Sequence, residues 1–305
     1  MITGRFAPSP SGFLHPGNLF CALLAWLSCR SAGGRFLLRI EDLDQGRCPR
    51  KLALSAMEDL RWLGLLWDEE PLWQNERTEI YAAAAKRLQD RGLVYPCFCT
   101  RAELHAGLAP NQGEVNPVYD GRCARLTPEE AAARALTRRP SLRLRVPDET
   151  LSFRDGHLGD YSECLREACG DFIIRRADGM YAYQLAVVLD DAASGVNEVV
   201  RGRDILSSTP RQILLQRLLR LPTPQYFHIP LLTDSQGRRL AKRDGDVSLP
   251  ALAKRYKKVE ILGMLGCAAG LLEEMRPATL DQLLSLFSWE KVPKETARLP
   301  LDAAG

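Results

Sequence analysis

Over the first ninety residues, short runs dense in apolar residues alternate with longer runs in which apolar residues recur every three to four positions. Gly4 to Ala7 reads as a short strand, and Pro16 to Ser31 as a helix with proline in its first turn, stopped by Gly33-Gly34. RFLLRI, Arg35 to Ile40, has the continuous apolar character of a buried strand and delivers Glu41-Asp42 at its end. Ala53, Met57, Leu60 and Leu63 repeat at helical spacing, as do Ile80, Ala84 and Leu88. Strand alternating with helix predicts a parallel α/β sheet, in which ligands bind beyond the carboxyl ends of the strands. Gly12 to Asn18 and Glu41 both fall at that edge.

The pattern breaks at Tyr95 into a stretch rich in cysteine, proline and arginine with one short predicted helix, Pro128 to Ala135. It resumes with DFIIRRADGMYAYQLAVVLDD, read as a hairpin turning at Asp178-Gly179. A strand over Val196 to Gly202 follows, then a helix capped by Ser208 or Thr209 with Pro210 at its first position. YFHIPLL, Tyr226 to Leu232, is the last clear strand, and the chain after Pro250 reads as helical. The expected units are residues 1–94 and 171–247 as two halves of one domain, 95–170 as an insertion and 248–305 as a helical tail.

Two segments carry chemistry. GRFAPSPSGFLHPGN, Gly4 to Asn18, feeds a helix whose first N–H groups are expected to point outward unpaired, with the positive end of the helix dipole behind them. Such a place suits an anion, often a phosphate. Cys97 and Cys99, followed by Cys123, have a spacing compatible with tetrahedral zinc; a fourth ligand could be His105 or water. Cys21, Cys29 and Cys267 sit singly in apolar helical runs and read as core. The net charge of +3 gives little overall attraction to nucleic acid, so any RNA contact must come from local basic patches. With no secretory leader pattern and no run of 18 apolar residues, a cytoplasmic protein without membrane attachment is expected.

His15-Pro16-Gly17-Asn18 opening a helix after the first strand, and RRLAKRDGD after the last, resemble the two nucleotide-binding signatures of class I aminoacyl-tRNA synthetases, HIGH and KMSKS. Pro16 and Asn18 replace the isoleucine and second histidine of the first; Leu240, Lys242 and Arg243 match the second, with Ala241 where serine is usual. RFAPSPSGFLHPGN, RIEDLD, YAYQLAVVLDD and VVRGRDIL are similar to the glutamyl and glutaminyl branch, in that branch's order, over about residues 4 to 246. The chain ends 63 residues after Lys242, shorter than a glutamyl-tRNA synthetase with its anticodon-binding domain. With the cysteine group, this resembles the glutamyl-Q tRNA(Asp) synthetase family, stand-alone paralogues of that catalytic core.

The resemblance implies a Rossmann-type catalytic domain with a zinc-containing insertion, and a reaction: L-glutamate is activated with ATP and Mg2+ without tRNA, then transferred to queuosine at the wobble position of tRNA(Asp). It implies glutamate binding by Arg5, Phe6, Ala7, Pro8, Ser9, Glu41, Tyr183 and Arg201, with Glu41 meeting the ammonium. ATP falls to His15, Gly17, Asn18, Leu240, Lys242 and Arg243, of which His15 and Lys242 are the catalytic pair. It brings in Tyr119 as the remaining zinc ligand beside Cys97, Cys99 and Cys123. Arg5, Arg201, Arg203, Arg238, Arg239 and Arg243 are the cations expected to face RNA phosphates, and a monomer is expected. A truncated glutamyl-tRNA synthetase charging tRNA(Glu), or a non-catalytic RNA-binding paralogue, are the alternatives. Without the resemblance, Arg5 and Arg201 read as surface charges and Tyr183 as a half-buried strand residue.

Overall fold

The computed structural model describes residues 1–105, 118–234 and 248–300, with the backbone alone at Arg101 and His105. Strand β1 (Thr3–Phe6), helix α1 (Pro16–Ser31) and strand β2 (Arg35–Ile40) open the fold, the helix and second strand with the bounds that the pattern predicts. Helix α2 (Arg50–Leu63) turns Ala53, Met57, Leu60 and Leu63 inward and ends at Gly64, whose φ of +88° is the left-handed cap that glycine adopts at least cost. Strand β3 (Leu72–Trp73) and helix α3 (Thr78–Asp90) follow. Ala84 and Leu88 are buried as expected, but Ile80 is 43% exposed. Its neighbour Tyr81 takes the inward position because its hydroxyl reaches the buried Asp190 at 2.8 Å.

Strand β4 (Val94–Cys97), helix α4 (Arg101–His105), helix α5 (Pro128–Ala135), strand β5 (Ser141–Leu144), strands β6 (Thr150–Asp155) and β7 (Gly159–Cys164), and helix α6 (Leu165–Ala168) make up the next stretch. Only α5 was legible there, through its Thr127 and Glu130 capping box; the others are too short to display a period. β5 pairs antiparallel with β4 and with strand β8 (Phe172–Arg175), while β6 and β7 form a separate hairpin.

The expected hairpin after β8 is corrected. A turn does form at Asp178-Gly179, but beyond a single bridge between Arg175 and Tyr181 the second arm is helix α7 (Tyr183–Ala193). Leu185 through Asp191 are all buried, so the helix has no polar face to reveal its period, and its paired valines mimic a strand. Strand β9 (Glu198–Gly202) leads through a 3-10 turn into helix α8 (Thr209–Leu219). Pro210 lies in the first turn, one place later than predicted, because the helix begins at Thr209. Neither candidate cap acts as one: the Ser208 hydroxyl accepts from Gln184 at 2.9 Å, and the Thr209 hydroxyl is spent on Arg201.

Strands β10 (Gln225–Ile229) and β11 (Leu231–Thr233) divide the predicted last strand at Pro230, which has no N–H to give a ladder. The C-terminal segment supplies helices α9 (Leu249–Leu252), α10 (Lys258–Ala268) and α11 (Leu280–Leu286). It is not wholly helical: strand β12 (Thr296–Arg298) pairs with β11. α1 is buried nearly all round because the sheet and α10 pack in one core with it.

β3, β2 and β1 are parallel neighbours, as are β9 and β10. The two blocks meet where the Asn197 N–H donates to Thr3 O at 3.0 Å and its side chain accepts from the Thr3 N–H at 2.8 Å. The order of connection reverses between β1 and β9, and there a crevice opens outside the carboxyl ends of the strands. Among the described residues no helix is long and apolar enough to cross a membrane.

Candidate active site

That crevice is a cleft of about 580 Å3. Each wall is the continuation of a strand: Ala7, Pro8 and Ser9 follow β1, Glu41 follows β2, and Arg201 lies near the end of β9. Arg5 and Phe6 reach it from within β1, Tyr183 from the first position of α7, and His15, Gly17 and Asn18 from the start of α1. All the described residues expected to hold glutamate or nucleotide thus line one cavity. Leu240, Lys242 and Arg243, like Arg238 and Arg239, lie outside the described residues.

The inner end is a chain of charges. Asp191 accepts from Arg5 Nε at 3.1 Å and pairs with Arg39 Nη1; Arg39 Nη2 reaches Glu41 Oε1 at 3.2 Å, and Glu41 Oε2 accepts from the Ser9 hydroxyl at 3.2 Å. Burial alone would raise Asp191, but Arg39 and Arg5 outweigh it and hold the carboxyl below its usual range. Glu41 goes the other way, burial raising it against the pull of Arg39 and Arg5. Arg5 is therefore no surface charge: it is 4% exposed and half neutralised by Asp191.

Arg201 is equally buried, at 4% exposure, and is held differently. Nε donates to His228 Nε2 at 3.0 Å, Nη1 to Gln212 Oε1 at 2.7 Å and Nη2 to the Thr209 hydroxyl at 2.7 Å. Gln212 is aimed in turn by Gln184, one residue beyond Tyr183, and the guanidinium lies 5.0 Å over the ring of Tyr226. Among the described residues no carboxylate lies within ion-pair distance of Arg201. A buried guanidinium with only neutral acceptors is a costly arrangement that an incoming anion relieves.

At the outer end the expectation of unpaired helix N–H groups is corrected. Pro16 has none, the Gly17 N–H donates to His15 Nδ1 at 3.1 Å, and the Asn18 N–H to His15 O at 2.8 Å. The Asn18 side chain accepts from the His15 N–H in return, closing a capping box. Because His15 Nδ1 accepts, a neutral ring carries its proton on Nε2.

Cys21 was read as core, yet it also lines the cleft, its Sγ 3.9 Å from Val200 O and its thiol pushed up to about 12 by burial. Arg203, expected to face RNA, spends Nη1 on the carbonyls of Lys294 and Glu295 at 3.2 and 3.1 Å. Arg5 and Arg201 are buried, which withdraws them from any role toward RNA phosphates.

Away from the cleft, the sulfurs of Cys97, Cys99 and Cys123 lie within 4.8 Å of one another. The Tyr119 hydroxyl is 3.4 Å from Cys97 Sγ and 3.8 Å from Cys99 Sγ, and Cys99 and Cys123 Sγ are 3.6 Å apart. A tetrahedral zinc with bonds of about 2.3 Å spaces its sulfurs by about 3.8 Å, so the donor set fits such an ion. Arg143 lies 3.8 Å over the Tyr119 ring and donates to Cys97 Sγ at 3.2 Å. His105, the other fourth-ligand candidate, has its side chain outside the described residues.

Sequence reasoning assigned no role to Arg39, Asp191, Gln212 or His228, and to Thr209 only that of a candidate helix cap. The signal for the first two was a charge in an otherwise apolar run, RFLLRI and YQLAVVLDD, where a buried charge demands a partner. Gln212 and Thr209 carry no such signal, because their importance arises only when α8 packs beside β9.

Residues 1–282 match the family of class I tRNA synthetases (E and Q), catalytic domain. A glutamyl-Q tRNA(Asp) synthetase of Symbiobacterium thermophilum is 48% identical, with 99% of this chain and 97% of that protein covered. One of Neisseria gonorrhoeae is 42% identical, with 98% of this chain and all of that protein covered. A crystal structure of a glutamate tRNA ligase from Elizabethkingia meningosepticum, in complex with its amino acid, superposes with a TM-score of 0.84 at 26% identity, covering 98% of this chain and 67% of that one. The signature segments of the sequence, the parallel sheet and these likenesses together place the chain in the glutamyl-Q tRNA(Asp) synthetase family of class I aminoacyl-tRNA synthetases.

Proposed function

We propose that this protein activates L-glutamate with ATP and transfers the glutamyl group to queuosine at the wobble position of tRNA(Asp). The observation that carries the amino-acid half is Arg201, a buried cation without a carboxylate partner among the described residues, in the same cleft as the Glu41 carboxylate. A substrate bearing an ammonium and a side-chain carboxylate satisfies both. Arg5, fixed by Asp191, adds a second guanidinium to the carboxylate end, with the backbone of Phe6 to Pro8, the Ser9 hydroxyl and Tyr183 completing the pocket. The RNA half rests on the similarity to glutamyl-Q tRNA(Asp) synthetases.

In the first step an α-carboxylate oxygen of glutamate attacks the α-phosphorus of Mg-ATP, and the bond to the bridging oxygen breaks to release pyrophosphate. Little covalent chemistry is asked of the protein, whose work is to align reactants and offset developing charge. His15 Nε2–H stands at the nucleotide end with Gly17 and Asn18, and Lys242 is the cation assigned to the phosphates, with Leu240 and Arg243 beside it. In the second step a queuosine hydroxyl attacks the acyl carbon and AMP leaves. Cys97, Cys99, Cys123 and Tyr119 would hold a zinc ion, whose contribution is to fold residues 95–170 rather than to react.

Two measurements test this. Glutamate-dependent exchange of pyrophosphate into ATP without tRNA is expected. Labelled glutamate should pass to tRNA(Asp) containing queuosine and to its isolated anticodon stem-loop, but not to the same loop with guanosine. Attachment to the 3′ end of tRNA(Glu) overturns the assignment in favour of a shortened glutamyl-tRNA synthetase.

A further inference from the structure

Arg201 can only donate hydrogen bonds, so the His228 Nε2 that receives its Nε–H carries no proton. The Thr209 hydroxyl, which accepts from Arg201 Nη2, lies 3.1 Å from the same ring nitrogen and directs its own proton there. The ring proton must therefore sit on Nδ1, which is 2.5 Å from Asp155 Oδ2. Asp155 is the last residue of β6, and it is 1% exposed. Its Oδ1 accepts the N–H groups of His157 at 3.0 Å and Leu158 at 2.8 Å, and the His228 N–H lies 3.2 Å from both oxygens. The turn is clamped to β10: the Gly156 N–H donates to Tyr226 O at 2.8 Å, and a Cβ at Gly156 would come 2.3 Å from the Phe227 ring.

We propose that Asp155 is a positioning residue for substrate binding: it holds His228 in the one tautomer that accepts from Arg201, and so keeps the Arg201 guanidinium aimed into the cleft. The β6–β7 hairpin, remote in sequence from every signature segment, thereby sets the affinity for the substrate's carboxylate. This rests on the reading of Arg201 as the carboxylate partner. Electrostatics agree with the geometry. Burial lowers His228, Asp155 pulls it upward, and Arg201 and Arg5 push it down, leaving its pKa below the ordinary histidine value. The neutral ring required as an acceptor is the resident form. An aspartate also selects where an asparagine does not, since an amide can offer either its oxygen to Nδ1–H or its NH2 to a bare Nδ1, which admits the wrong tautomer.

The test is ATP–pyrophosphate exchange, with KM measured separately for glutamate and for ATP. Asp155→Asn should raise KM for glutamate about ten- to a hundredfold, the scale of a hydrogen bond to a charged group, and leave KM for ATP within about threefold. His228→Gln, which places an amide oxygen near the position of Nε2, should stay within about fivefold of wild type. His228→Leu should be as impaired as Asp155→Asn, and this pair carries the test if the Asp155 variant does not fold. Equal rises in both KM values, a glutamate KM unchanged in folded Asp155→Asn, or identical behaviour of the glutamine and leucine variants would overturn the proposal. Arg201→Met separates the two layers: if it keeps the wild-type glutamate KM, the reading of the cleft fails; if it loses glutamate dependence while Asp155→Asn does not, only the positioning role fails.

Discussion

In the cleft, Asp191 stands between Arg5 and Arg39, so opposite charges leave water together; in the insertion, three thiols and the Tyr119 phenol converge, with Arg143 against them and the exposed Arg122 nearby. Both regions bring ionisable groups out of solvent, a costly step unless the charges are offset. The cleft offsets most of its own through fixed side chains and, among the described residues, leaves Arg201 without a carboxylate. The cluster consists of groups of one sign once ionised, and a bound cation would complete the compensation that Arg143 begins. The cleft should therefore keep its shape when empty, whereas the cluster should depend on its ion.

Breaking the internal compensation of the cleft should have the largest effect on glutamate-dependent exchange. Asp191→Asn leaves Arg5 and Arg39 buried without their shared anion, a loss of about 3–5 kcal/mol of stability, and Arg5, which lines the pocket, loses its anchor. Exchange should fall at least about a thousandfold, with a clear drop in Tm by calorimetry. The sign with pH follows from the lowered Asp191: its contribution is complete above the unfolded carboxylate value of about 3.9 and is lost as the pH falls through its folded value. The acid limb of a stability profile should accordingly weaken in the variant. Wild-type stability in Asp191→Asn would show that the charges are not compensated in the way described.

Glu41 sharpens the contrast, because in it burial outweighs the pull of Arg39 and Arg5 and raises the carboxyl. Its charged form costs stability at neutral pH in the empty protein, a cost relieved as the pH falls through its folded value. Glu41→Gln should raise Tm slightly at pH 7 while weakening glutamate-dependent exchange by about a hundredfold, the scale of a lost charge-assisted contact. Binding of ATP should be nearly unaffected. A fall in Tm would instead mark Glu41 as a structural partner of Arg39.

The two regions also differed in how far they could be read from the chain. α1, β2 and α5 were legible to the residue because a proline, a capping box or a clean apolar run marks each boundary. The cysteines were legible because thiols cluster for few reasons. α7 was misread as strand because burial on every side removes its helical period, and β12 was missed because a three-residue strand has no pattern of its own. Residues lining the cleft were found through segments resembling a family, whereas their supports were not. Asp155, His228 and the pair Thr209 and Gln212 lie on three separate elements, and only the packing of α8 and the β6–β7 turn against β9 and β10 makes them one device.

Removing the ion should affect exchange far less than either cleft substitution. Chelation, or Cys97→Ser, should release close to one metal ion per chain and lower Tm by about 5 °C or more as the cluster loses its order. Exchange without tRNA should remain within about threefold of wild type, since no atom of the cluster belongs to the cleft, whereas transfer to tRNA has no such protection. Unchanged thermal stability in metal-free protein would show that Cys97, Cys99, Tyr119 and Cys123 hold together without an ion.

The smallest effect is expected at Cys21, the one cysteine lining the cleft and the sharpest control on the comparison. Its sulfur has no second thiol and no phenol within reach, only the Val200 carbonyl at 3.9 Å, and burial pushes its thiol up to about 12. Alkylating reagents attack the thiolate, and at pH 7.5 almost none is present. Cys21→Ser exchanges one small weak donor for another, so exchange should stay within about threefold. Iodoacetamide at neutral pH should leave the holoenzyme active for hours, and the metal-free protein should be modified first at the cluster, as peptide mass mapping would reveal. Rapid inactivation traced to Cys21 would mean that the cleft stabilises a second negative charge beside the substrate's own. Arg201 and Arg5 would then be compensating more than a single carboxylate, and the contrast between a self-balanced cleft and an ion-dependent cluster would fail at its simplest point.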